Sequence, residues 1–162
     1  PLVSGAIGSK DPTLIERAMK VYFSHYMGEG LKQIKLYPNV REFLEHFKHK
    51  PKIIVSNKSE KFIKLILAKH GLEKYFVEIV GGDTALTLKP DPGTINILLA
   101  KYKIPPKRAM FIGDMTVDIE TGKNAGTYTC AVTYGFDPKE KLAQLNPDFL
   151  VGDLLELKEL IG

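Results

Sequence analysis

Two aspartates four positions apart, in Gly113-Asp114-Met115-Thr116-Val117-Asp118, carry the sharpest chemical signal in this sequence. With Asp114 at a strand tip and Asp118 one helical turn further on, both carboxylates can face one point. Such a pair repels unless a cation or a proton intervenes. Magnesium prefers oxygen ligands, typically one or two carboxylates completed by water and phosphate oxygens. The plainer alternative is one helix-capping aspartate and one surface aspartate. A second cluster, Ser56-Asn57-Lys58-Ser59, combines hydroxyls with free backbone amides where a helix opens, which suits an anion; Ser56 or Ser59 could equally be a simple cap. In a third, Lys89-Pro90-Asp91-Pro92, the prolines fix the backbone around Asp91. The lysine before that turn can be aimed as a point charge at a phosphate, or it is a solvated loop lysine. Together the three supply hydroxyl and amides, an ammonium and paired carboxylates, the groups that phosphoryl transfer uses.

The elements that must position them follow from periodicity. Residues 1–36 read as mainly helical: Asp11-Pro12 is an N-cap followed by proline at the first helical position. Leu14, Ile15, Ala18, Met19, Tyr22 and Phe23 recur at helical spacing, and Gly28 and Gly30 close the helix. From Tyr37 onward short apolar runs alternate with helical patterns. Strands are predicted at 52–55, 77–80, 109–112, 128–133 and 149–151. Helices are predicted around 40–47, at 62–69 ended by Gly71, at 95–102, at 116–124 ended by Gly126, at 138–145 and at 154–161. Strand–helix alternation with short loops means an α/β domain with a parallel sheet covered on both faces, and strands apolar throughout fit burial on both sides. Ligands of open parallel sheets bind beyond the carboxyl ends of the strands. The three clusters each follow a different strand, so all three open on one cleft.

The remaining composition excludes more than it assigns. The chain has 162 residues, 44% hydrophobic and 26% charged, which suits one domain or one domain with a small appendage. No apolar run approaches about 18 residues, and Pro1-Leu2-Val3 lacks the basic start and apolar stretch of a signal peptide, so no membrane partner and a cytoplasmic location are the expectation. The net charge of +4 is spread as scattered lysines along amphipathic helices, which argues against nucleic acid and suits a small anionic substrate. The single cysteine, Cys130, lies in the apolar run 128–132 and reads as a buried thiol. His25, His46, His49 and His70 lie on or near helices, away from strand tips, with no sign of a Ser-His-Asp triad or a zinc site.

These residues carry a resemblance. Ile54-Val55-Ser56-Asn57-Lys58, Lys89-Pro90-Asp91-Pro92 and Gly113-Asp114-Met115-Thr116-Val117-Asp118-Ile119 resemble the second, third and fourth motifs of the haloacid dehalogenase superfamily; Gly122 and Ala125-Gly126 also fit. Val132-Thr133-Tyr134-Gly135-Phe136 is similar to the segment after the fifth strand of phosphoglycolate phosphatases. The resemblance implies a Rossmann-like α/β core over 37–162 and a partial α-helical cap over 1–36. It implies a magnesium-dependent phosphatase acting on a small phosphorylated metabolite. Ser56 and Asn57 would hold the phosphoryl group, Ser56 and Lys89 would act in catalysis, with Lys89 also on the phosphate, and Asp114 and Asp118 would hold Mg2+. A sugar-phosphate mutase or another phosphatase on the same scaffold, a non-catalytic phosphate- or partner-binding chain, and a response-regulator-like domain are the alternatives.

The family pattern also calls for an Asp-x-Asp motif at the tip of a first strand, its first aspartate the nucleophile and its second the general acid and base. Before Tyr37 the only aspartate is Asp11. The resemblance places that strand centrally, between the strands ending at Ser56 and Asp114. Without it the sheet is expected to carry a gap of about 10 Å, two strand spacings, and two unpaired edges. The expectation is therefore that about 50 to 70 residues precede Pro1, or that a second chain completes the sheet, and that this chain by itself is inactive.

Overall fold

The computed structural model describes residues 8–25 and 30–161. The chain divides into two compact units, residues 1–36 and 37–162. In the first, α1 (Pro12–His25) opens where Asp11 Oδ1 accepts the Thr13 amide at 2.9 Å, with Pro12 as first helical residue. Ile15 and Ala18 are half-buried while Leu14 and Tyr22 are exposed, so the covered stripe is narrower than the residue types suggest. Gly28 and the side chains of Met19 and Phe23 lie outside the described residues. Gly30 stands at the start of a short second helix, α2 (Leu31–Gln33).

The second unit alternates strands and helices as expected of an α/β fold. Its order is α3 (Val40–His46), β1 (Ile53–Val55), α4 (Glu60–His70), β2 (Glu78–Val80), α5 (Gly93–Lys101), β3 (Met110–Gly113), α6 (Thr116–Asn124), β4 (Tyr128–Val132), α7 (Lys139–Gln144), β5 (Phe149–Val151) and α8 (Leu157–Ile161). All strand pairs are parallel, but they form two ladders. β1 pairs with β2, Ile54 opposite Ile79; β3 pairs with β4 and β4 with β5, aligning Ile112, Cys130 and Phe149. Among the described residues no ladder joins β1 to β3.

The three-stranded ladder holds most of the core, and the two-residue period of β4 explains how. Cys130 and Val132 point to one face, where they meet Phe47 after α3, Val151, Leu154 and Leu157. Ala131 points to the other, against Ile119 of α6 and Leu142 of α7. β4, bonded on both sides, is buried from Thr129 to Val132, whereas each strand with a single partner is only partly covered. Ile112 of β3 is 36% exposed for this reason. Burial was expected on both faces of the strands; it is fullest where both edges are paired. Burial pushes the Cys130 thiol up to about 12, with the nearby Glu156 adding to it. Among the described residues no helix is long and apolar enough to cross a membrane.

Candidate phosphate and metal site

Asp114 follows β3 directly, and Asp118 lies in the first turn of α6. Asp118 is nearly enclosed, its side chain 5% exposed. Its Oδ2 accepts the amides of Asp114 at 3.1 Å and Met115 at 3.0 Å, and Oδ1 receives the ammonium of Lys89. These bonds fold the strand end back over the helix start, and they leave no room beside Gly113, where an added Cβ would overlap the Asp118 side chain. A carboxylate facing amides at a helix N-terminus is also favoured by the helix dipole.

Asp114 is held differently. Its Oδ2 accepts the amide of Phe136 at 2.9 Å and its backbone carbonyl accepts that of Asp137 at 3.0 Å. Oδ1 has no hydrogen-bond partner among the described residues. The two aspartates are therefore neighbours with different surroundings: one carboxylate saturated by an ammonium and two amides, the other with an oxygen to offer. Among the described residues no three His, Cys, Asp or Glu side chains converge on one point. A cation bound by Asp114 would complete its shell with water and phosphate oxygens, which suits magnesium.

Lys89 is 12% exposed and reaches Asp118 from the loop after β2. Its backbone is fastened to the β1 tip by one side chain: Asn57 Oδ1 accepts the Lys89 amide at 3.0 Å, and Asn57 Nδ2 donates to the Lys89 carbonyl at 3.3 Å. The sequence suggested the amide of Asn57 as the functional group, and the clamp made by its side chain was not legible. The Lys89 ammonium also lies 5.9 Å from the centroid of the Phe111 ring. Ser56 leaves β1 with its amide donating to Val80, and its Oγ accepts the Lys58 amide at 3.1 Å, so its hydroxyl hydrogen can donate elsewhere. Asp91 Oδ1 caps α5 through the Gly93 amide at 2.8 Å. Ser56–Asn57, Lys89, Asp118 and Asp114 thus form one continuous series of contacts at the carboxyl ends of β1 and β3.

With this arrangement in view, the comparisons with known proteins become specific. The sequence pattern of haloacid dehalogenase-like hydrolases matches residues 6–132. The chain belongs to the haloacid dehalogenase-like hydrolase family. It is 36% identical over 152 residues to a phosphoglycolate phosphatase of Vibrio cholerae, covering 93% of this chain and 67% of the relative. A phosphoglycolate phosphatase of Haemophilus influenzae is 33% identical over 142 residues, covering 86% and 63%. The crystal structure of a predicted phosphoglycolate phosphatase from Haemophilus somnus superposes with a TM-score of 0.85 at 30% identity, covering 98% of this chain and 72% of that one. The chain spans about two thirds of the length of the curated relatives it matches, 67% and 63% for these two. Within this haloacid dehalogenase-like hydrolase, the segment after β4 was legible only as a resemblance, and its contacts with the site escaped the sequence reading. Phe136 is 76% exposed beside Asp114, and Asp137 is buried with its Oδ2 on the Thr116 amide at 2.7 Å. Asp137-Pro138 has the same form as Asp11-Pro12 at the start of α1, a hint of a cap, but nothing local says that it caps a different helix.

Proposed function

We propose that this core belongs to a magnesium-dependent phosphomonoester hydrolase of small phosphorylated acids, with phosphoglycolate the leading substrate. The observation that carries the reading is the continuous series Asn57–Lys89–Asp118–Asp114, which puts an ammonium, a saturated carboxylate and a carboxylate with an unpartnered oxygen at adjoining strand tips. The phosphoglycolate phosphatases among the relatives support the substrate.

On this reading Ser56 donates its hydroxyl to the transferring phosphoryl group and the Asn57 amide adds a second donor. Lys89, kept in place by Asp118 and Asn57, balances negative charge on phosphate and nucleophile. Asp114 would hold the cation directly, and Asp118 would orient Asp114 through the bond its Oδ2 accepts from the Asp114 amide. Bound there, magnesium would supply charge against that developing on the phosphoryl oxygens. On the family pattern the nucleophile would be the first aspartate of an Asp-x-Asp segment at the tip of a further strand. Its carboxylate oxygen bonds to phosphorus as the ester oxygen leaves and takes a proton from the second aspartate; water then cleaves the phospho-aspartate to release inorganic phosphate. Residues 1–36 are assigned to a partial helical cap.

Phosphate release from 2-phosphoglycolate by the natural protein, with and without magnesium, tests this. Hydrolysis that chelation abolishes is expected, with Asp114→Asn and Lys89→Ala each lowering kcat about 100-fold or more; Tm should change little in Asp114→Asn and fall in Lys89→Ala, where the buried Asp118 carboxylate loses its ammonium. Unchanged turnover in Asp114→Asn would remove the metal assignment. Preference for a sugar phosphate in the same assay would replace the substrate.

A further inference from the structure

The loop between β4 and α7 grips Asp114 at several points. Its Phe136 amide holds one carboxylate oxygen, its Asp137 amide holds the Asp114 carbonyl, and Gly135 lies so close that an added Cβ would overlap the Asp114 side chain. What holds the loop itself is the Asp137 carboxylate. This group is buried, the residue 8% exposed, and it reaches back to the first residue of α6: Oδ2 accepts the Thr116 amide at 2.7 Å. Lys141, one turn along α7, stands 3.4 Å from Oδ1. The segment from Asp114 to Thr116 and the segment from Gly135 to Asp137 are thereby tied at both ends.

We propose that Asp137 is a positioning residue for the metal site: it fixes the loop so that one Asp114 oxygen is tied to the Phe136 amide and the other is presented to the cation. Asp114 has two side-chain torsions. The Phe136 bond fixes the outer one only while the loop is registered against α6, and the Asp137–Thr116 bond sets that register. Partners of this kind, hydrogen-bonded behind a metal ligand, are worth about 10- to 100-fold in metal affinity when lost. The inference rests on Asp114 being a metal ligand.

The test is Mn2+ binding to the natural protein, followed by the loss of the free-ion electron paramagnetic resonance signal, with Tm recorded for every variant. Asp114→Asn should abolish binding. Asp137→Ala should raise the Mn2+ Kd about tenfold or more, and Asp137→Asn, which keeps an oxygen for the Thr116 amide, should restore most of the affinity. Thr116→Pro guards against an unfolded Asp137→Ala. Proline suits the first position of a helix, Met115 before it is already extended (φ −125°, ψ 153°), and the change removes both the amide and the hydroxyl that meet the Asp137 carboxylate. It too should weaken Mn2+ binding. Wild-type affinity in Asp137→Ala and Thr116→Pro, or equal weakening in Asp137→Ala and Asp137→Asn, overturns the proposal. Wild-type binding by Asp114→Asn instead defeats the metal reading on which it rests.

Discussion

Lys89 and Asp118 are charged groups that the fold has almost removed from water, and each is tolerable because of the other. The spacing of Asp114 and Asp118 was visible in the sequence; the division of labour between them was not, because it depends on which oxygen meets which amide after the chain has folded. A titrating carboxylate on β2 gives the same lesson with a measurable sign. Glu78 receives the Lys101 ammonium at 2.8 Å on both oxygens and the Tyr102 hydroxyl at 2.8 Å. The Lys101 hydrogen bond, ahead of an opposing burial effect, holds its carboxyl below the ordinary range. A group with a lower value folded than unfolded contributes stability above its unfolded value, about 4.3 for glutamate, and loses it as pH falls through the folded value. Thermal melts from pH 7 down to 2 should show Tm declining below the ordinary carboxylate range, with a smaller decline in Glu78→Gln. Identical pH profiles for the two proteins would show that Glu78 contributes nothing to acid sensitivity.

At the scale of elements, the parallel αβ alternation was legible because β4 and the helices around it follow their periods closely. Strand ends were less so. Expected starts at Lys52, Val77 and Ala109 fall one residue early, yet the backbone bonds continue there: Val77 donates to the Lys52 carbonyl and Tyr128 to that of Ala109, both at 2.9 Å. The loops after the strands escaped prediction for another reason. Their geometry is set by contacts distant in sequence, such as Asp83 Oδ1 accepting the Glu60 amide at 2.8 Å and Asp137 capping α6. The loop after β4 makes the most exposed wager on this. Gly135→Ala forces its methyl group into the Asp114 side chain, and overpacking of this kind costs about 1–3 kcal/mol. Urea unfolding should show a loss in that range, with a larger fractional loss of activity than of stability. A variant with unaltered midpoint and turnover would mean that the loop relaxes at no cost.

For the whole second unit, side chains and α3 hold the two ladders together. Besides Lys89–Asp118, Asn124 Nδ2 donates to the Pro90 carbonyl at 3.1 Å, and α3 ties outward through Arg41 to the His70 carbonyl at 2.5 Å and through Glu45 to the Tyr75 hydroxyl at 2.8 Å. Amide exchange should therefore be uneven. The amides of β4, paired on both sides and buried, should be the slowest, and those of β1 should exchange at least about tenfold faster through local opening. Equal protection of β1 and β4 would show that the two ladders open as one.

Lys89 works as a rivet between the two ladders. Its ammonium lies over the Phe111 ring of β3 and against Asp118, while Asn57 at the β1 tip grips its backbone. A rivet of this kind sets how far apart its two plates stand as well as joining them. The same ammonium proposed to steady phosphate would then also set the spacing of the two ladders.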